Sequence, residues 1–177
     1  MILVFLLLQL AAAPTPIPLP RVLPCSATGG FGQTFGTPSS ARATDDSQIR
    51  KVDDPNGIYQ PFQEITVVLT KDDRVDVVSS VAYFVDATQA DSFVERLVAM
   101  YKKSLAVTYE QTASGPQGYE RALFTGPKRE GSDPESIQPI KGMVISISRY
   151  ESGVELVCWN MDFPGEPRFG ENRVGSR

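Results

Sequence analysis

The residue types in this chain limit the chemistry that it can perform, because none of its 177 residues is a histidine. Without histidine, the Ser-His-Asp triad, the Cys-His pair and the H-E-x-x-H zinc site are excluded. The side chain that most often transfers protons near neutral pH is missing as well. The composition therefore favours a protein that is not an enzyme and that holds no metal ion and no cofactor.

A glycine-rich segment resembles a phosphate-binding loop but has the wrong spacing. Gly30, Gly32 and Gly36 follow a G-x-G-x-x-x-G pattern, which is one residue longer than the dinucleotide fingerprint, and no predicted strand precedes them. We expect Gly32 and Gly36 to give the backbone conformational freedom while Phe31 and Phe35 dock on the domain. The segment is therefore predicted to be structural.

Acidic residues and one serine complete the candidate catalytic groups. The run at 53–57 (DDPNG) lacks the acidic first and last ligands of an EF-hand loop, so it predicts an Asn-Gly turn. Carboxylate pairs at 45–46, at 72–73, and at 133 and 135 could support glycoside hydrolysis, but they lie in predicted turns and polar loops. Ser114 lacks the G-x-S-x-G elbow. A carboxylate-based hydrolase therefore stays a lower-ranked alternative, which a pair in a deep cleft with raised pKa values would support.

The chain has two cysteines, Cys25 and Cys158. In an oxidising compartment a disulfide between them is the default expectation. The alternative is that Cys158 is a buried thiol that packs like a small apolar side chain. Because Cys158 and Trp159 are consecutive in a predicted strand, their side chains should point to opposite faces of the sheet.

The beginning of the chain predicts export. Residues 1–13 (MILVFLLLQLAAA) form an apolar run with a small-residue end, which is typical of a signal peptide. A buried helix is the alternative, whereas a membrane span would need about 20 apolar residues. A Pro-rich spacer follows at 14–24. We therefore expect a periplasmic or extracellular protein with no integral membrane span in the mature chain.

Regular secondary structure is predicted to begin after a loop-like segment. Residues 25–61 suggest only short strands, near 33–35 and 58–59. Alternating apolar residues at 62–70 and 74–85 predict a first antiparallel hairpin, with Val75, Val77, Val81, Tyr83 and Val85 on one face. A short strand at 119–124 precedes a second hairpin, formed by 143–150 and 154–161.

One amphipathic helix is predicted at 89–104, where Phe93, Val94, Leu97, Val98 and Tyr101 recur at helical spacing. Thr88 and Asp91 resemble a capping box at its start. The element order is strand, strand, helix, strand, strand, strand, which predicts a two-layer α+β domain at 25–162. Its antiparallel sheet has the helix packed on one face. Residues 163–177 have the composition of a disordered tail.

This arrangement resembles a loose class of small exported bacterial proteins of unknown function. In that class an F-G-x-x-F-G segment, here at 31–36, precedes a strand hairpin, one amphipathic helix and a final hairpin. The resemblance spans 25–161. It implies an exported α+β domain and transfers no catalytic residues.

Aromatic residues suggest where such a domain would bind. Tyr119, Tyr150 and Trp159, together with Tyr59 and Phe62, are predicted to lie on the sheet face opposite the helix. An antiparallel sheet can leave that face to solvent, and a contiguous apolar patch there would mark a binding surface. The alternative is that residues 31–59 fold across this face and cover it.

The function that these patterns favour is binding without catalysis. The formal charge of −4 gives no basic surface for nucleic acid, so the expected partner is an envelope or extracellular protein. An inhibitor of a secreted hydrolase, which would present a loop such as 126–139, is the alternative within binding proteins.

Overall fold

The computed structural model describes residues 16–44, 46, 48–126 and 142–160. The predicted signal peptide at 1–13 and the predicted tail at 163–177 lie outside the described residues. The loop at 126–139 also lies outside them, apart from its first residue.

The described part of the chain forms eleven strands and one helix. The first five strands are short: β1 Cys25–Ser26, β2 Gly29–Gly30, β3 Gln33–Thr34, β4 Arg42–Ala43 and β5 Ile49–Val52. The longer elements follow: β6 Ile65–Leu69, β7 Val75–Tyr83, α1 Ala87–Ser104, β8 Tyr109–Gly115, β9 Gly118–Phe124, β10 Met143–Tyr150 and β11 Gly153–Asn160.

Eight of the strands make one antiparallel sheet with the order β4-β5-β6-β7-β11-β10-β9-β8, and β1, β2 and β3 make a small second sheet. Helix α1 packs on β10 and β11 near the middle of the large sheet. The prediction of an α+β fold, in which a single helix packs on an antiparallel sheet, is confirmed. Among the described residues no helix has the length and apolarity to cross a membrane.

Alternation along the strands gives the large sheet two different faces. The face under α1, called the helix face, buries one apolar residue in two along each central strand. These residues belong to one core with the apolar side of α1. On β7, β10 and β11 they are Val78, Ala82, Met143, Ile145, Ile147, Val154, Leu156 and Cys158. The opposite face is called the distal face.

The segment before β6 also packs on the helix face, so it is not the cover of the distal face that the alternative prediction required. Strand β2 lies against β7 and β11. The predicted disulfide between Cys25 and Cys158 is confirmed, and both residues are 0% exposed. Phe31 and Phe35 are buried in the same core.

The glycines of this segment act as the sequence predicts. Gly32 and Gly36 have φ values of 78° and 71°, the left-handed region that glycine adopts without a Cβ clash. The Pro-rich segment that precedes them is packed over its described part rather than free. Ile17, Leu19 and Leu23 contact the core, and Arg96 of α1 donates a 2.7 Å hydrogen bond to the carbonyl of Ile17.

The start of α1 differs from the prediction. Asp86, not Thr88, is the N-cap, because its backbone is extended and its carboxylate accepts a 2.8 Å hydrogen bond from the amide of Gln89. The helix therefore begins at Ala87, two residues before the predicted start at 89, and it ends at Ser104 as predicted.

Five of the strands (β1, β2, β4, β5 and β8) were not predicted, and one predicted strand is absent. Strand β8 is an edge strand with mostly exposed side chains, so it has no apolar alternation to recognise. Strand β5 has only four residues. The predicted short strand at 58–59 is instead part of a turn, because the Asp54 carboxylate accepts hydrogen bonds from the amides of Ile58 and Tyr59.

Candidate functional site

The distal face carries a continuous apolar row across the large sheet. The pairing register places one apolar side chain from each of seven neighbouring strands in line on this face, and we call them the apolar row. In sheet order they are Tyr109, Phe124, Val144, Trp159, Val77, Val68 and Ile49. None of these residues faces α1, so the row is separate from the main core.

One end of the row forms a second, small core. Phe124 and Val144 are 2% and 1% exposed, and the neighbouring Ala122 is 0% exposed. Tyr109 and Trp159 pack against these three residues and remain partly exposed themselves. The rings of Tyr109 and Phe124 are stacked, with centroids 4.2 Å apart and planes 7° from parallel. The stacked pair closes this small core, with Phe124 inside it and Tyr109 partly exposed at its edge.

The next row of side chains along the strands is mostly polar. The next row holds Gln111, Ala122, Ser146, Val157, Ser79, Thr66 and Lys51. Beyond it, Glu120 pairs with Ser148 of β10, and its carboxylate accepts a hydrogen bond from the hydroxyl of Ser146. Along β9 the distal face therefore changes from apolar, at Phe124 and Ala122, to acidic, at Glu120.

Several buried polar atoms on this face have no hydrogen-bond partner. They are the Tyr109 hydroxyl, the Trp159 Nε1 and the Gln111 Oε1. Burial raises the pKa of the Tyr109 hydroxyl, which therefore stays a neutral donor and acceptor at physiological pH. A buried polar group without a partner costs about 1–3 kcal/mol, so it calls for an explanation in function or in a missing partner.

The structure separates the aromatic residues that the sequence predicts on this face. Tyr150 and Trp159 lie on the distal face, since Tyr150 pairs with Gly153 and Trp159 with Val144. The grouping is wrong for Tyr119, Tyr59 and Phe62, all of which lie on the helix side. Phe62 is 3% exposed in the main core, and the ring of Tyr59 packs edge-on against Phe31.

Tyr119 belongs to a polar cluster that fixes α1 to the sheet. Its hydroxyl donates a 3.1 Å hydrogen bond to Asp91, and the Arg149 guanidinium lies 5.0 Å from its ring centroid. The Nε of Arg149 also lies 2.8 Å from Asp91 Oδ1. Burial and then the Asp91 carboxylate raise the pKa of Tyr119. The cluster is satisfied within the chain and so is structural.

A second ion-pair network joins α1 to β8 and β9 on the same face. Arg121 contacts Glu110 at 2.6 Å and Glu95 at 2.5 Å, and Lys102 Nζ lies 2.5 Å from Glu110 Oε2. Burial alone would raise the pKa of Glu110, but the hydrogen bonds and charges of Arg121 and Lys102 outweigh it and lower the pKa. These charged side chains pair with one another, so none of the four is available to bind a ligand.

The other candidate sites gain no support from their surroundings. The Asp54 carboxylate caps its own turn, and Asp72 and Asp73 are exposed in the tight turn between β6 and β7. Ser114 is exposed on β8. Asp133 and Glu135, and nearly all of the 126–139 loop on which the inhibitor hypothesis depends, lie outside the described residues. Within the described ranges, no cluster of acidic and cysteine side chains could hold a metal ion.

The residues that sequence analysis missed are Tyr109, Glu120, Phe124 and Val144. The alternation of side chains between the two faces of β9 could have placed Glu120 and Phe124. Leu123 belongs to the main core, so Tyr119 and Arg121 share its face, and Glu120 and Phe124 take the other. Comparison with protein-family models, with curated proteins and with solved structures found no match for this chain.

Proposed function

We propose that this protein is an exported, non-enzymatic binding domain that holds an envelope or extracellular protein on the distal face. The observation that carries the proposal is the apolar row, which crosses seven strands on the side of the sheet away from α1. A sheet face that meets water usually presents polar side chains at these positions. Five residues of the row (Tyr109, Trp159, Val77, Val68 and Ile49) are partly exposed, and an accessible apolar patch with polar neighbours is typical of an interaction surface.

The composition of the distal face also supports a protein partner. Trp159 and Tyr109 are the partly exposed rings of the row, and tryptophan and tyrosine are enriched among the residues that dominate protein–protein binding energies.

Export is supported by the disulfide, by the predicted signal peptide at 1–13, and by the resemblance to small exported bacterial proteins. A fully buried disulfide forms and persists in an oxidising compartment, whereas cytosolic thiols are kept reduced. The proposed location is therefore the periplasm or the extracellular space, where the partner must also be accessible.

A matched pair of Val→Lys substitutions tests the proposal. Val77 lies in the middle of the apolar row and is partly exposed, whereas Val85 is 86% exposed and lies beyond the end of β7. Both variants gain the same charge and lose the same side chain. We expect the immobilised wild-type chain and Val85→Lys to retain the same protein from an envelope or culture extract, and Val77→Lys to lose it.

Circular dichroism must first show that both variants keep the wild-type secondary structure. Equal retention by Val77→Lys and Val85→Lys would contradict the proposal, because the partner would then bind elsewhere. The absence of any retained protein at micromolar concentrations of immobilised chain would also contradict it.

A further inference from the structure

Strand β8 is a long edge of the large sheet that lacks the usual protection of an edge. Its seven residues pair with β9 without a bulge, and among the described residues no strand pairs with its other side. Residues 111–115 (QTASG) include no charge and no proline, and all of them from Thr112 onward are exposed. Folded proteins usually protect a long edge with a charged side chain, a proline, a bulge or a covering segment. The outer side of β8 is therefore available to pair with another strand.

The opposite edge of the same sheet is protected. Strand β4 has only two residues, and the first of them, Arg42, is charged and exposed. The chain then turns at Thr44, whose hydroxyl donates a 2.9 Å hydrogen bond to the carbonyl of Ile49. A very short, charged edge strand is a poor template for a second chain. The two edges therefore differ, and β8 is the edge that can accept a partner.

The hydrogen bonds of β9 show which backbone groups of β8 point outward. Thr125, directly after β9, donates a 3.1 Å hydrogen bond to the carbonyl of Met143, which continues the β9–β10 register. Bonding alternates along an antiparallel strand, so the odd-numbered residues of β9 bond to β10 and the even-numbered ones to β8. The latter lie opposite the odd-numbered residues of β8. The N–H and C=O groups of Glu110, Thr112 and Ser114 therefore point away from the sheet.

The outer side of β8 is complementary to itself. Two copies that pair antiparallel about a two-fold axis place Thr112 opposite Thr112 when all seven residues overlap. Glu110 of each copy then lies opposite Ser114 of the other, so no like charges face each other. Glu110 is also balanced within its own chain by Arg121 and Lys102. A second copy would therefore meet open backbone groups and small neutral side chains.

We propose that two copies of this chain pair through β8 and so continue the large sheet from one copy into the other. The two-fold axis is perpendicular to the sheet, so the two distal faces lie side by side. The inference goes beyond the proposed function, because the pairing does not require a partner on the distal face. Stable interfaces use about 20–30 residues a side, many more than the seven of β8, so the dimer is weak and reversible. We expect a dissociation constant of about 0.1 mM.

Sedimentation equilibrium of the exported chain, with its disulfide intact, tests the pairing. The wild type should change from monomer to dimer between about 10 μM and 1 mM. Thr112→Lys and Thr112→Glu each place like charges opposite each other across the axis, so each should weaken dimerisation about tenfold or more. Thr88→Lys is the matched control, because Thr88 is exposed in the first turn of α1, at the end of the helix away from β8. It should keep the wild-type dissociation constant.

An equimolar mixture of Thr112→Lys and Thr112→Glu separates loss of pairing from loss of folding. Lysine then faces glutamate across the axis, so the mixture should form dimers at concentrations where each variant alone is a monomer. Hydrogen exchange of the wild type gives a second measurement. The amides of Glu110, Thr112 and Ser114 should exchange more slowly at about 1 mM than at about 10 μM, because the dimer protects them.

The outcomes separate this inference from the proposed function. A wild type that stays monomeric at about 1 mM would overturn the inference. A dimer that Thr112→Lys leaves intact, or a mixture of the two charge variants that stays monomeric, would overturn it as well. A dimer that Val77→Lys dissociates and Thr112→Lys does not would place the second copy on the distal face instead. The retention experiment with Val77→Lys and Val85→Lys decides the proposed function independently of these results.

Discussion

Replacing Gly30 by alanine tests whether the small sheet is pressed onto the large sheet as closely as the structure shows. A Cβ at Gly30 would lie 2.9 Å from both the Cβ and the Sγ of Cys158 and 3.2 Å from the Cβ of Val78. Cys158 and Val78 are both 0% exposed. Carbon atoms in favourable contact are about 3.5–4.0 Å apart, so the methyl group overlaps two neighbours.

The expected cost follows from how little those neighbours can move. The Sγ of Cys158 is bonded to Cys25, and Val78 lies in a central strand with neighbours on both sides. Overpacking in a core where the surroundings cannot relax costs about 1–3 kcal/mol. We expect Gly30→Ala to lower the free energy of unfolding by about 2–3 kcal/mol, the upper part of that range. Gly30 has no positive φ, so the loss is steric and not conformational.

Gly115→Ala is the matched control, because a Cβ there meets no atom within 4 Å and the backbone is not in the left-handed region. Reduced freedom of the unfolded chain should make this variant neutral or about 0.4–1 kcal/mol more stable. Both values are measured by urea unfolding, with Trp159 fluorescence and circular dichroism as probes. Wild-type stability of Gly30→Ala, or an equal loss in both variants, would show that the close packing of β2 on Cys158 is wrong.

Two further predictions concern the links between the N-terminal segment and the core. The double substitution Cys25→Ala and Cys158→Ala removes the disulfide, which spans 133 residues. In the chain-entropy model this should lower the free energy of unfolding by about 5 kcal/mol. Urea unfolding midpoints measured without reductant check this value. Tyr101→Phe should cost about 1–2 kcal/mol near neutral pH, because the amide of Cys25 loses its 3.1 Å hydrogen bond to the buried hydroxyl. Burial raises the pKa of Tyr101 above its ordinary value of 10.0, so its contribution to stability is complete below pH 10 and decreases as the pH rises further. Between pH 9 and 11 the free energy of unfolding should therefore fall by about 1.4 kcal/mol more for the wild type than for Tyr101→Phe. Equal falls would contradict the assignment.

The parts of the fold that the sequence predicts are those with strong periodicity. Helix α1 has a continuous apolar stripe, and the β6–β7 and β10–β11 hairpins alternate clearly, so their existence and type follow from pattern alone. The pattern nevertheless assigns one residue of the first hairpin, Val75 of β7, to the wrong face. The β-bulge between Val68 and Leu69 turns Val75 to the helix face, although the sequence places it with Val77.

The elements that the sequence does not predict were missed for a different physical reason. Strand β8 is a polar edge strand whose pairing with β9 depends on the two-residue turn at 116–117, and nothing in its own composition requires it. The faces of Tyr119 and Glu120 could not be assigned while the core status of Leu123 was unknown. Once Leu123 lies against α1, alternation fixes both residues, and the candidate site moves from Tyr119 to Glu120 and Phe124.

Among the described residues, both layers that cover the large sheet lie on its helix face, and this asymmetry is a structural argument for binding on the distal face. Helix α1 covers β10 and β11, and the disulfide-linked small sheet covers β7 and β11. Five residues of the apolar row (Tyr109, Trp159, Val77, Val68 and Ile49) stay partly exposed on the other side, which costs free energy in water. Polar side chains at Val77 and Val68 would have served equally well in a monomer. The apolar character of these partly exposed residues therefore supports the proposed binding surface.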